Sequence, residues 1–256
     1  MAVQILSTYH VGQALTHKEV NNVINIIKSA LDTGDYSLPA EAEISIVIKG
    51  SGLFAPINIP DNMTPALAAA GKTLVIGREE QTQYGQIVTD VLPIIDPNAP
   101  GASGLVIEQK LIGINIGDNN PNVTIKGLRV KGFVIGIAAG FNCDNLTLIR
   151  NFITNCVNAQ IYVHDCDGVY VVNNVLVGGQ FGAVLKFCKK LRVYHNTIYL
   201  DGATALNNAP KAGLVVQAER DFPDANSTTA GSTLYCIGNL IYTIGAASVI
   251  FYEEDI

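Results

Sequence analysis

Leu146-Thr147-Leu148-Ile149-Arg150-Asn151-Phe152-Ile153 matches Val169-Tyr170-Val171-Val172-Asn173-Asn174-Val175-Leu176, then Leu191-Arg192-Val193-Tyr194-His195-Asn196-Thr197-Ile198, then Leu234-Tyr235-Cys236-Ile237-Gly238-Asn239-Leu240-Ile241. The aligned asparagines lie 23, 22 and 43 residues apart, and a fainter copy 24 residues upstream puts Gly127 in the same slot. A second series follows each slot: Gly136-Ile137-Ala138-Ala139, Gln160-Ile161-Tyr162-Val163, Gly182-Ala183-Val184-Leu185, Gly213-Leu214-Val215-Val216 and Ser248-Val249-Ile250-Phe251. Short β-branched strands that recur at this period and are broken by Asn or Gly mark a parallel solenoid. Each unit holds at least two strands of period two, one side chain inward and the next outward. Gly and, less often, Asn enter the left-handed region cheaply, so the bends are expected to take those residues. Stacked asparagines are expected to bond to one another's amides along the axis.

This pattern resembles the right-handed parallel β-helix of the pectate-lyase-like superfamily, which includes polysaccharide lyases, polygalacturonases and phage tailspikes. The resemblance covers residues 44–256 and implies an all-β, single-stranded parallel β-helix of about seven coils, preceded by a segment, 1–43, that carries a capping α-helix. It also implies a carbohydrate partner. The catalytic motifs of the polygalacturonase-like members, Asn-Thr-Asp, Asp-Asp and Gly-His-Gly, do not occur in the chain, and Arg129-Val130-Lys131 matches only their Arg-x-Lys triplet.

The cap helix is legible near the start. Thr16 and Glu19 have the spacing of a capping box, after which Val20, Val23, Ile24, Ile27, Ala30 and Leu31 fall on one face. Such a helix shields the first strands from pairing with another chain. Thr64-Pro65 opens a second, short helix that Gly71 ends. A chain of 256 residues with 48% hydrophobic and 15% charged residues has the composition of one compact domain.

The net charge of −6, with no basic cluster beyond Lys189-Lys190, argues against a nucleic-acid partner and against adhesion to anionic lipid. No stretch reaches the ~20 apolar residues of a membrane span, and Met1 to Thr8 lacks the basic start and apolar run of a signal peptide. The expectation is synthesis in the cytoplasm and a destination in a virion or outside the cell. Of the five cysteines, Cys143, Cys166 and Cys188 repeat at 23 and 22 residues, and are expected to form a buried column of reduced thiols. No CxxC pair or suitably spaced His suggests zinc, and no cofactor is expected.

Chemistry is sought where the period breaks. Among the aligned coils only the fourth, opening at Leu191, carries insertions, near 200–210 and 218–231, and these bring Asp201, Glu219, Arg220, Asp221 and Asp224. Gln217 aligns with Tyr252, so Glu219 falls level with Glu254, beside Glu253. Carboxylates on adjacent coils approach ~5 Å, the separation of a retaining glycosidase pair. Glu219, Glu253 and Glu254 are therefore the candidate catalytic residues, and the same group has the donors for Ca²⁺. An outward column of Lys126, Arg150, Asn173 and His195, together with Asp221 on the insertion, is the candidate binding surface for an acidic sugar. His164, outward beside Tyr162, is read as a surface residue. A second outward column, Ala138, Tyr162, Val184, Val215 and Ile250, is apolar, which predicts an interface formed by Tyr162, Val184, Val215 and Ile250. The resemblance to tailspikes implies a homotrimer or packing against other virion proteins. Two functions follow: a structural or receptor-binding β-helix of tailspike or tail-fibre type that contacts surface polysaccharide, or a polysaccharide lyase or glycoside hydrolase.

Overall fold

The computed structural model describes residues 2–12, 15–50, 52–78, 93–99, 111–201, 211–218, 233–244 and 247–253. They form a right-handed parallel β-helix. Three parallel sheets run along the body: a first of eight strands, a second of seven and a third of seven. One coil contains Thr147–Ile149 in the first sheet, Phe152–Thr154 in the second and Ala159–His164 in the third. Seven such triplets stack in sequence order, from Glu43–Ile48, Leu53–Phe54 and Ile57–Ile59 to Leu234–Ile237, Leu240–Thr243 and Ala247–Glu253. At ~4.8 Å per rung the first sheet is ~34 Å long. No helix among the described residues is long and apolar enough to cross a membrane.

The interior follows from alternation. Ile125, Leu148, Val171 and Val193 line the first sheet's inner face, and Val130, Ile153, Leu176 and Ile198 line the second's, each no more than 1% exposed. The repeat read from sequence thus contains three strands, because the Asn slot separates the first sheet from the second. In that slot Asn174 accepts hydrogen bonds from the backbone N–H of Asn151 at 2.9 Å and from its side-chain amide at 3.1 Å. Asn196 accepts the same pair from Asn174, and Asn239 from Asn196. Each amide also donates back to a carbonyl of the coil before it, as Asn174 does to Leu148 at 2.8 Å. The expected ladder is present.

Two details differ from the sequence reading. The residues with left-handed backbone are not the ladder asparagines but their predecessors: Gly127, Arg150, Asn173, His195 and Gly238 have φ between 54° and 66°. Gly127 therefore belongs to this preceding column, and the slot beneath Asn151 holds Leu128, whose N–H Asn151 accepts at 3.1 Å. The helix also starts later than the capping box implies. Helix α1 spans Val20–Thr33 with Glu19 at its N-cap and no side-chain cap. The Glu19 carboxyl is instead partly buried against the backbone N–H of Ala55; burial raises its pKa and that hydrogen bond opposes the rise.

α1 covers the entrance of the coil with Val20, Val23, Ile24, Ile27 and Ala30. Asn21 fastens it, donating to Pro56 O at 2.8 Å and accepting from Asn58 N–H at 2.9 Å. Strand Thr8–Val11 pairs with Glu43–Ile48, so the first sheet begins within the segment assigned to the cap. The short helix α2, Pro65–Ala69, lies where Thr64-Pro65 placed it. The second coil, in contrast, departs from the period as much as the one opening at Leu191. It runs from Thr73 to the next first-sheet strand at Val123, a distance of 50 residues.

All five cysteines are free, and Cys143, Cys156, Cys166 and Cys188 are buried. Each thiol of the column donates to a carbonyl at 3.1 Å: Cys143 to Gly117, Cys166 to Gly140 and Cys188 to Lys186. The hydrogen bond to Cys166, followed by burial, drives the pKa of Cys143 far up. At Cys166 the bond with Cys143 pulls down, but the bond with Cys188 and burial outweigh it and the pKa is raised. Burial pushes Cys156 up to about 12.

Two outcomes follow. Asn174→Ala leaves the buried Asn151 N–H without its acceptor and breaks the ladder between Asn151 and Asn196, and should cost about 1–3 kcal/mol in denaturant unfolding. Asn173→Gly, one residue earlier at an exposed left-handed position, should change stability by less than ~0.5 kcal/mol. In the folded protein a thiol reagent at pH 8 should modify Cys236 alone, with the other four thiols reacting only in denaturant; fast native labelling of Cys166 would contradict the buried column.

Candidate saccharide-binding face

The first sheet presents its outward side chains in two columns. One contains His10, Val47, Gly77 and Lys126, in register across consecutive strands. The other contains Thr8, Ser45, Val75 and Thr124. Between them lies a groove of about 250 Å³ lined by Thr8, His10, Ser45, Val47, Val75, Gly77, Arg78 and Lys126. Gly77 makes this geometry possible. A Cβ there would collide with the Lys126 side chain and carbonyl, so the missing side chain leaves a channel in which the lysine stem lies against the backbone.

Farther along, the second column continues through Thr147, Tyr170, Arg192 and Tyr235. The Arg192 guanidinium stacks 4.7 Å from the centre of the Tyr170 ring and also hydrogen-bonds its hydroxyl. Tyr235, the next rung, is 52% exposed. Among the outward positions of the described strands of this sheet, Glu43 is the one acidic residue. A chain of net charge −6 thus gathers His10, Arg78, Lys126 and Arg192 on a face that also offers hydroxyls and aromatic rings. That combination suits an anionic sugar polymer: cations for carboxylate or sulfate, ring faces for the apolar side of a pyranose, and hydroxyls for its polar edge.

The candidate binding residues read from sequence fall partly on this face. Lys126 lies in the groove, in register with Ile149 and not with Arg150, because the repeat at that step is 23 residues. Arg150 and His195 do share a column, at the exposed left-handed bend between the first and second sheets, with Asn173 between them. Asp221, Glu219 and Glu254 lie outside the described residues. Glu253 ends the last strand of the third sheet, level with Ala218, and the predicted pairing of Gln217 with Tyr252 is present. Glu253 thus stands on the third sheet, whereas Lys126 stands on the first. The groove residues His10, Arg78 and Gly77 were missed in the sequence; the signal that marks them is the Gly one coil below a Lys in the same outward column.

The apolar column of the third sheet is in register as read, from Ala138 through Tyr162, Val184 and Val215 to Ile250. It is not a bare face. Ala138, Val184 and Val215 are 8%, 5% and 3% exposed within the single chain. Val184 and Val215 join Ala159 and Ala212 in a second apolar cluster outside the coil, with Tyr162 and Phe181 packed against it. The expected continuous exposed patch is corrected accordingly: its centre is already buried, and Tyr162 keeps a partly open ring. The side chain of Ile250 lies outside the described residues. Next to Tyr162, His164 Nδ1 is 2.9 Å from Asp165 Oδ2 and its ring makes an edge-to-face contact with Phe141 at 4.5 Å, a packed cluster at the end of a third-sheet strand.

No family model matches the sequence, and no curated protein matches it. Among solved structures, the chain is similar to two crystal forms of the pectin methylesterase from Aspergillus niger. One is the deglycosylated form, at 14% identity and a TM-score of 0.34, and the other the penultimately deglycosylated form, at 13% and 0.32. Both alignments cover 98% of this chain and 90% of the other.

Proposed function

We propose that this β-helix is a carbohydrate-binding protein of tailspike or tail-fibre type, whose first sheet holds an acidic polysaccharide along the coil axis. The groove that brings His10, Arg78 and Lys126 together on an otherwise acidic chain carries this reading. The Tyr170, Arg192 and Tyr235 ladder extends the same face over the later coils. A polymer lying across successive rungs meets a polar or aromatic group every ~4.8 Å, close to the length of a sugar residue. Assembly as a homotrimer, or against other virion proteins, belongs to the same reading, as does a place in a virion or outside the cell.

Titration calorimetry of the protein with acidic and neutral polysaccharides tests the proposal. Uronate- or sulfate-bearing polymers should bind, neutral ones should not, and affinity should fall as salt rises from 50 to 500 mM, roughly ~10-fold if two or three charges are paired. Lys126→Ala and Arg192→Ala should each weaken binding by about ten-fold, which corresponds to ~1.4 kcal/mol. Equal binding of neutral polymers, or binding untouched by both substitutions, would remove this face from consideration. Release of unsaturated uronate products during the same incubation would convert the reading into that of a lyase. Native mass by light scattering tests the assembly, with three chains expected and a monomer at micromolar concentration arguing against it.

A further inference from the structure

Among the described residues, Lys28, Lys131 and Lys190 are met by Asp32, Asp96 and Asp167 at 2.5, 3.1 and 2.8 Å. Arg192, two residues after Lys190 and outward on the first sheet, has no carboxylate partner among the described residues. Its guanidinium lies over the Tyr170 ring, 4.7 Å from the centroid, and its Nη1 donates to the Tyr170 hydroxyl. Stacking of this kind holds the guanidinium in one plane while its in-plane donors stay available. With Nη1 engaged, the remaining edge is Nε beside Nη2. Neither nitrogen has an acceptor among the described residues, and neither is sealed from solvent. That edge is a fork spaced for two oxygens of one anion. Its surroundings are aromatic on both sides. Tyr170 is level with Arg192 one coil earlier and Tyr235 one coil later, and Tyr235 is 52% exposed. The fork therefore sits between two rings whose backbones are ~9.6 Å apart.

We propose that Tyr170, Arg192 and Tyr235 form a subsite that selects a planar carboxylate over a tetrahedral sulfate or phosphate ester. The inference rests on the reading of the first sheet as the face that holds an acidic polysaccharide, and it names the anionic group that the sugar carries. A carboxylate bonded to Nε and Nη2 keeps both of its oxygens in the guanidinium plane and has no third. A sulfate or phosphate ester has a further oxygen, which leaves that plane toward Tyr170 on one side or Tyr235 on the other. Either direction sets an anionic oxygen against the negative face of an aromatic ring. The guanidinium supplies the attraction, and the two rings supply the discrimination. A lysine in this place would supply attraction alone, because an ammonium is a point charge with no plane to match.

The probes are two oligosaccharides of equal length and equal charge, one built with uronates and the other with sulfate esters on neutral sugars. Each is titrated calorimetrically into the intact protein. The uronate oligomer should bind about ten-fold more tightly. Arg192→Lys, which keeps the charge, should bring that ratio below about three-fold by weakening the uronate oligomer while the sulfated one changes little. Tyr235→Leu should lower the ratio from the other side, by strengthening the sulfated oligomer. A gain of that kind is not produced by a variant whose fold is damaged. Equal affinities in the native protein, or a preference that survives both substitutions, would overturn the proposal and leave the first sheet standing as the binding face. Binding of neither oligomer would remove the face and the subsite together. Tighter binding of the sulfated oligomer by the native protein would overturn the selectivity alone.

Discussion

Everything in this molecule depends on vertical register. In a parallel solenoid each residue stands ~4.8 Å above its counterpart one coil earlier, so a side chain's closest partner is usually another copy of its own position. The consequence is severe for polar groups. A buried amide is satisfied within its own column when the positions above and below complement it, and asparagine meets that condition because one oxygen and one NH2 face in opposite directions. The ladder from Asn151 to Asn239 uses this property at the crowded bend between the first and second sheets, where the backbone turns too sharply for the strands to satisfy every N–H. Cysteine meets the same condition differently in its own column: each thiol donates to a nearby carbonyl.

Register also explains what was legible before any coordinates. Seven coils, the amide ladder, the pairing of Ala138 with Tyr162 and Val184, and even the level of Gln217 with Tyr252 could be read because identical environments recur and select similar residues. What failed was what repetition does not encode. The left-handed position tolerates Gly, Arg, Asn and His alike, since its side chain faces solvent, so its column carried no compositional signature and Gly127 was placed one residue off. The late start of α1 depends on the N–H of Ala55, thirty-six residues away in sequence, which turns Glu19 from a local cap into a tertiary contact.

The outward positions were harder still, for a related reason. Alternation says which side chains leave the core, but not whether something else packs over them. Ala138, Val184 and Val215 read as an exposed stripe and are in fact covered within the chain. The groove has the converse logic. A glycine in a strand is ordinarily a weakness, and the value of Gly77 appears only when Lys126, level with it on the next rung, is laid across it. A candidate site on a solenoid is thus made of neighbours that are about twenty or more residues apart in sequence, and here 49 separate Gly77 from Lys126.

Such a body has two kinds of free surface, and they obey different rules. Its flanks are closed with respect to hydrogen bonding: the backbone is already paired above and below, so a ligand there is recognised by side chains alone. That favours a flat, repeating partner such as a sugar polymer, which gains from many modest contacts. At an end of a coil, backbone groups dominate. A ligand at the end must supply strand geometry first and side-chain complementarity second. At the entrance α1 meets this demand with Asn21, a single residue that satisfies one donor and one acceptor of the first coil. The ladder repeats that solution inside the body: Asn174 accepts from the backbone N–H of Asn151 and donates to the carbonyl of Leu148, so one side chain again meets one donor and one acceptor of the coil before it.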